Sequence, residues 1–414
     1  MIARTAQLYR NAFTGLSRDI WLLSLVTFIN RAGTMVIPFM TVYLTTQRAF
    51  SFRDAGLVMS CFGVGSIVGS LWGGRLTDRY GYYPVQFWTL LGSGFVFFLL
   101  MQLNGVLALC LGTFVLSSVA DAFRPANQTA IAFYSRPENR ARAFGLMRLA
   151  LNLGFAAGPV IGGLLAGSLG YSWLFALDGI TCIFAAVLFR LSLDPKGQQK
   201  LIEKQEAEPE AALPNRSAWL DARYLFFLLM IVLGATAFMQ LFNSLPVFLK
   251  QLYHYSEAQI GLLTTINGLL IVAVEMPLVY GMERRLTSLQ AVAIGTILYA
   301  VAFCVLAGGS YHLLAPVSFM VMLTMGEMMA MPFSSTYAAG RAHPSRRGQY
   351  MGLYSMSWGV ALIIAPTAGL WLAEKFGFLY LWWVACLLSI ISCIGLVLLS
   401  RWKEKETGAD GPSL

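Results

Sequence analysis

Ionisable side chains sit where this chain should tolerate them least. Glu327, Asp121, Arg124 and Arg31 all fall inside long apolar runs. A charge placed in lipid costs about 3 kcal/mol or more, so such residues by default mark a substrate or proton pathway. A carboxylate held in apolar surroundings beside an arginine can trade a proton for a cation or for a change of shape. On that ground Glu327, and after it Asp121, are the candidate proton-coupling groups. Asp121 and Arg124 are three residues apart and share a helix face, so they can pair. Such a pair could equally be a neutralised contact that only fixes packing.

Other polar or soft side chains could meet a ligand. Asn30 and Arg31 make a polar patch ahead of Ala32-Gly33, of which an anionic substrate would make good use. Gln240 and Asn243 are three apart and could present two amides, and Met331 ends a methionine-rich stretch suited to adaptable binding. Each has a plainer reading as packing or as a polar contact between helices. Arg148 lies near a helix end, from which its side chain could snorkel to the membrane surface.

These residues need apolar elements around them, and the composition supplies those. The chain of 414 residues is 57% hydrophobic and 12% charged. Twelve segments of about 20 residues, the length that crosses a bilayer, run from Ile20–Leu44 to Phe378–Ser400. The first is long enough to span rather than be cleaved as a signal peptide. An all-α membrane protein with twelve transmembrane helices is expected.

Charge placement orients it. With the first segment's start in the cytoplasm, 22 of the 29 Lys and Arg fall on that side and only Arg48, Arg53, Lys250 and Lys375 on the other. This positive-inside pattern puts both termini in the cytoplasm. The net charge of +9 is therefore topological and calls for no nucleic-acid partner. No G-x-x-x-x-G-K-[ST] loop is present, the three histidines form no ligand cluster, and no nucleophile stands beside a base. Neither an enzyme nor a metal or cofactor is indicated. The six cysteines all fall in apolar segments without redox or metal spacing and read as small packing residues.

The chain repeats itself. Pro125 and Pro332, Arg140 and Arg347, Pro159 and Pro366, and Gly162 and Gly369 all stand 207 residues apart. Asp78-Arg79 and Glu283-Arg284 stand 205 apart. The polar stretch from Arg190 to Arg223 interrupts the apolar rhythm. The organisation is thus a six-helix half over 1–189, a cytoplasmic linker over 190–223 and a second half over 224–414. Paired halves of this kind bind substrate between them near the midplane.

Two motifs carry a family resemblance. Gly74-Arg75-Leu76-Thr77-Asp78-Arg79-Tyr80-Gly81, after the second segment, resembles the G-x-L-x-D-R-x-G signature of the major facilitator superfamily, and Gly281-Met282-Glu283-Arg284-Arg285 looks like its degenerate second copy. Gly154-Phe-Ala-Ala-Gly158-Pro159-Val-Ile-Gly162-Gly163 is similar to the fifth-helix pattern of that superfamily's 12-helix drug:proton antiporters. The resemblance implies the major facilitator fold of two pseudosymmetric bundles, gating at Gly74, Asp78, Arg79, Gly81, Glu283 and Arg284, and a bendable fifth helix at Gly154, Gly158, Pro159, Gly162 and Gly163. In the family Asp78 would pair with basic groups at neighbouring helix ends and latch the outward-open form. The resemblance also implies that helices 1, 4, 7 and 10 line the cavity, which leaves Asp178 and Glu275 to structural roles.

The chain departs from the family twice. Tyr82 and Tyr83 replace the usual basic pair after Gly81, and Thr113 stands where the antiporters carry a helix-4 arginine. The function implied is proton-coupled efflux of small amphipathic or organic molecules by a monomer in the bacterial plasma (inner) membrane. The alternatives are a proton-coupled importer of a nutrient or anionic metabolite, and a lipid-directed transporter without proton coupling.

Overall fold

In lipid a helix satisfies its backbone hydrogen bonds within itself, and these apolar segments all take that form. The computed structural model describes residues 7, 10–168, 170–193, 215–255, 257–308 and 314–401. The helices are α1 (Arg18–Ala32), α2 (Val36–Val42), α3 (Phe52–Tyr80), α4 (Tyr82–Gln102), α5 (Val106–Tyr134), α6 (Arg140–Ser168) and α7 (Ser172–Ser192). They continue with α8 (Ala222–Phe238), α9 (Gln240–Leu252), α10 (Glu257–Met282), α11 (Ser288–Ala307), α12 (Leu314–Arg341), α13 (Arg347–Phe376) and α14 (Phe378–Arg401). Among the described residues eleven spans are long and apolar enough to cross a membrane, α8 and α9 counting as one. The first crossing, expected as one run over Ile20–Leu44, is instead broken into α1 and α2.

A buried carboxylate makes that break tolerable. Gly33, Thr34 and Met35 leave the helix, which exposes backbone amides at the start of α2. Asp178 of α7, fully buried, accepts hydrogen bonds from Met35 N at 2.9 Å and from Val36 N at 2.9 Å. The packing role expected for Asp178 thus has a definite content: it caps a helix inside the bundle. The seventh crossing is interrupted too, at Met239 between α8 and α9, and Met239 stands 205 residues after Thr34.

Paired contacts repeat the sequence offset. Arg140 Nη2 donates to Ala132 O at 3.4 Å, and Arg347 Nε donates to Ala339 O at 3.2 Å, each residue 207 after its counterpart. Of the stretch 190–223, residues 194–214 lie outside the described residues. Asp221 precedes α8 and caps it through Tyr224 N at 3.0 Å, while Arg341 holds the same carboxylate at 2.7 and 2.9 Å. Across the chain's midpoint α3 and α5 pack on α13, and α6 packs on α10 and α12.

Asp178→Ala strips the acceptor from two buried amides and should destabilise the protein by on the order of 3 kcal/mol. Asp178→Asn, which keeps one acceptor oxygen, should lose less. Thermal unfolding in detergent ranks the two variants, and equal melting temperatures for both and the parent would remove the capping role.

Candidate functional site

Between the two halves lies a cavity of about 370 Å³, walled by α1, α3, α5, α6, α12 and α13 and by Met239. The glycine-rich run of α6 brings its charged residue into place. A methyl group at Gly154 would come 2.5 Å from Arg31 Cβ, one at Gly158 would come 3.2 Å from Thr34 O, and one at Gly162 would come 3.0 Å from Met35 Cβ. Small residues therefore let the broken first span lie directly on α6. Pro159 is part of the same helix, and Gly163 has only ordinary contact with Phe39. Arg31, anchored at this crossing, faces the cavity with its guanidinium 5.5 Å from the centre of the Phe155 ring. Asp121 and Arg124 also line it and pair at 2.7 Å, as their spacing requires.

The strongest buried charges join the halves. Arg148 of α6 does not snorkel; it is 8% exposed and reaches across to the second half. Its Nε donates to Glu275 Oε1 of α10 at 2.6 Å, and its Nη1 to Glu327 Oε1 of α12 at 3.0 Å. Asn267 of α10 donates to Glu327 Oε2 at 2.7 Å, and Met331 Sδ lies 2.8 Å from Arg148 Nη1. One guanidinium thus serves two carboxylates, which leaves the cluster one negative charge in excess when both are ionised. A single proton removes that excess. Arg148 lines the cavity, while Glu327 stands behind it and reaches the cavity only through the arginine. Glu275, assigned a packing role from its span, is an equal member of this cluster.

Three candidates face elsewhere. Asn30 donates to Cys182 Sγ at 3.5 Å, Asn243 donates to Met239 O at 2.7 Å, and Gln240 donates to Ala365 O at 3.0 Å and lies under Gly369. None of them lines the central cavity. Met331 does. Thr113, in the place of the antiporter arginine, is fully buried; its hydroxyl lies 2.8 Å from Leu109 O of its own helix and 3.2 Å from Val58 O of α3. The cations of this cavity come from α1, α5 and α6 instead.

The end of the bundle rich in Lys and Arg is closed by contacts between halves. Asp78 Oδ1 accepts from Gly348 N at 2.6 Å and Oδ2 from Gln349 N at 2.7 Å, so it caps α13 with a negative charge at a helix N-terminus. Its partners are backbone amides rather than the basic side chains expected from the resemblance. A methyl group at Gly74 would come 2.5 Å from Gly348 O, so this closure needs glycine there. Gly81, at φ +86°, makes the turn from α3 to α4. Arg79 takes no part in the cap and lies over the Tyr80 ring at 5.2 Å. Tyr82 is buried against Phe133, and Tyr83 OH donates to Leu193 O at 3.2 Å, so both replacements serve packing within their own half.

The second copy closes the same end with other chemistry. Glu283 Oε1 lies 2.6 Å from Arg142 Nε of α6, close but off hydrogen-bond alignment. Arg142 also donates to Thr14 O at 2.9 Å, and Arg284 lies over the Tyr280 ring at 5.4 Å. Ser355 Oγ donates to Gln128 Oε1 at 3.2 Å, and Arg347 lies over the Phe133 ring at 5.1 Å, both between halves.

A multi-pass helical bundle around one central cavity, closed at one end by contacts between its halves, is the build of a membrane transporter. This chain belongs to the Major Facilitator Superfamily, whose family model matches residues 23–343 and 244–412. It is therefore a transporter and not an enzyme. It is 25% identical over 409 residues, 94% of this chain and 95% of the other, to the uncharacterized MFS-type transporter YqjV of Bacillus subtilis (strain 168). It is 23% identical over 373 residues to a Na⁺, Li⁺, K⁺/H⁺ antiporter of Planococcus maritimus, covering 82% of this chain and 85% of that one. Among solved structures, a bacterial homologue of the iron transporter ferroportin in its outward-facing state shares the fold at a TM-score of 0.72 and 16% identity, over 93% of this chain and all of that one.

Glu283 lies beyond the end of α10, where burial pushes its carboxyl up to about 7 against the pull of Arg142. An opened gate returns it to water and to a value near 4.3. The closed form therefore binds the extra proton, and its advantage fades as pH rises through about 7. Spin-label distances across this end should lengthen between pH 5.5 and 8, and Glu283→Gln should flatten that response. A parent protein whose distances ignore pH would contradict this account.

Proposed function

We propose that this chain is a proton-coupled secondary transporter that moves small amphipathic organic molecules by alternating access. One observation carries the reading. The buried cluster of Arg148, Glu275 and Glu327 joins the two halves at the cavity wall and holds one charge that a proton can cancel. Proton binding at Glu327 or Glu275 loosens one arm of the cluster and so alters how α6 is held against α10 and α12. Asp121, paired with Arg124 on the cavity surface, is the second candidate.

The halves over 1–189 and 224–414 are the bodies that rock, with the basic end facing the cytoplasm of a bacterial cell by the positive-inside rule. Asp78 and Glu283 then hold the cytoplasmic gate shut, which makes the described form outward-facing. The transporter acts as a monomer in the plasma membrane with both termini inside. Export in exchange for protons is supported by the fifth-helix glycine motif and by the relative named as an H⁺ antiporter. A second direction, import alongside protons, is supported by Arg31. Its Nε is buried and has no hydrogen-bond partner among the described residues, so it suits an anionic substrate.

Proteoliposomes with an imposed pH gradient and a panel of cationic, neutral and anionic compounds test this. Substrate-evoked proton movement should appear in the parent and fall about tenfold or more in Glu327→Gln or Glu275→Gln, the loss of more than about 1.4 kcal/mol from the coupled step. Its sign decides between exchange and co-transport. Undiminished proton movement in both variants and in Asp121→Asn would take these carboxylates out of the mechanism.

A further inference from the structure

Two guanidinium groups at the central cavity keep buried donors that no carboxylate takes, although the arginines and carboxylates around it balance in charge. Asp121 is taken by Arg124 at 2.7 Å, and Glu275 and Glu327 by Arg148. Arg31 makes no ion pair among the described residues; its Nε is buried without a hydrogen-bond partner there, and its planar group lies against Phe155. Arg148 spends Nε and Nη1 on the glutamates and Met331, yet its buried Nη2 also has no such partner. Both arginines line the same cavity, from α1 and α6, which pack on each other.

Donors left unpaired in apolar surroundings are costly, and charged donors most of all. A planar guanidinium is matched best by a planar carboxylate or another oxyacid group, which can accept two of its hydrogens at once. A protonated amine brings no acceptor for these donors, and the carboxylates that would attract it are Asp121, already paired, and the two glutamates that stand behind Arg148. The rest of the wall is apolar and aromatic, with Phe62, Phe123, Phe155, Trp358 and Leu362 facing the space. A volume of about 370 Å³ is within the range of cavities that enclose small organic ligands.

We propose that the cavity takes an amphipathic organic acid, with its oxyanion group on Arg31, Arg148 Nη2 as a second donor, and its aromatic or aliphatic body against Phe155 and Trp358. This rests on the cavity being the transport site and not on the direction of transport. It names the substrate's charge, which family membership alone leaves open.

Three probes with one skeleton provide the test: 2-naphthylacetate, its primary amide and 2-naphthylethylamine, titrated calorimetrically into the purified full-length protein in detergent at pH 7.5. The acid should bind about tenfold or more tightly than the amide, and the amine should show no measurable heat of binding. Arg31→Gln should erase the acid's advantage and leave the amide's affinity within about twofold, while Arg31→Lys, which keeps the charge but not the fork, should retain part of it. The comparison within the parent protein stands even where Arg31→Gln fails to fold. Amide or amine binding as tight as the acid overturns the proposal; if substrate-evoked proton movement persists in vesicles, the transporter reading survives it. Absence of binding and of proton movement for all three probes counts against both.

Discussion

A single guanidinium bridges the chain's two halves inside the bilayer. Arg148 could not be buried without its glutamates, and the glutamates could not be buried without it, because an isolated ion in that medium is far costlier than a hydrogen-bonded pair. The pairing fixes how α6 faces α10 and α12. It also explains why the glycine run of α6 matters: the helix that carries Arg148 must accept the broken first span on its other side without a gap. Charge, helix break and small-residue packing thus converge on one helix.

Much of this was legible beforehand. Span positions follow from apolar length and the repeat from paired prolines and glycines, while a gating role for Asp78 comes from the motif's resemblance, with basic side chains expected where backbone amides stand. The pairing of Asp121 with Arg124 follows from helical spacing alone. Other residues misled for a common physical reason. Asn243 bonds to the carbonyl one turn back, and Asn30 and Gln240 find partners on neighbouring helices. Short polar side chains in lipid satisfy themselves on whatever is nearest, so their presence in a span says little about which way they face.

The cluster around Arg148 was the harder case. Each member is visible as a charge in an apolar run, but grouping them needs the rotation of three helices, and spacing within one helix carries no information about another. Arg148 looked like an interfacial residue because it lies only two turns into α6. Its length lets it turn inward instead, where two carboxylates outweigh the water it gives up. Thr113 is the complementary lesson: a position that holds a cation in similar chains here holds a hydroxyl that satisfies itself on the carbonyl one turn back, where α5 meets α3, and the cavity draws its positive charge from elsewhere.

The two closures at the basic end descend from equivalent places in the repeat but no longer match. Gln349 stands 207 residues after Arg142, so the position that meets Asp78 through its backbone in one half meets Glu283 through a side chain in the other. The duplicated segments now differ, one meeting a carboxylate with main-chain amides and the other with a side chain. Mutation can erase the second clasp with one substitution at Arg142, whereas the first has no side chain on the α13 side to lose. The internal duplication therefore leaves this gate with one clasp that rests on a single side chain, Asp78, and one that can be retuned from either half.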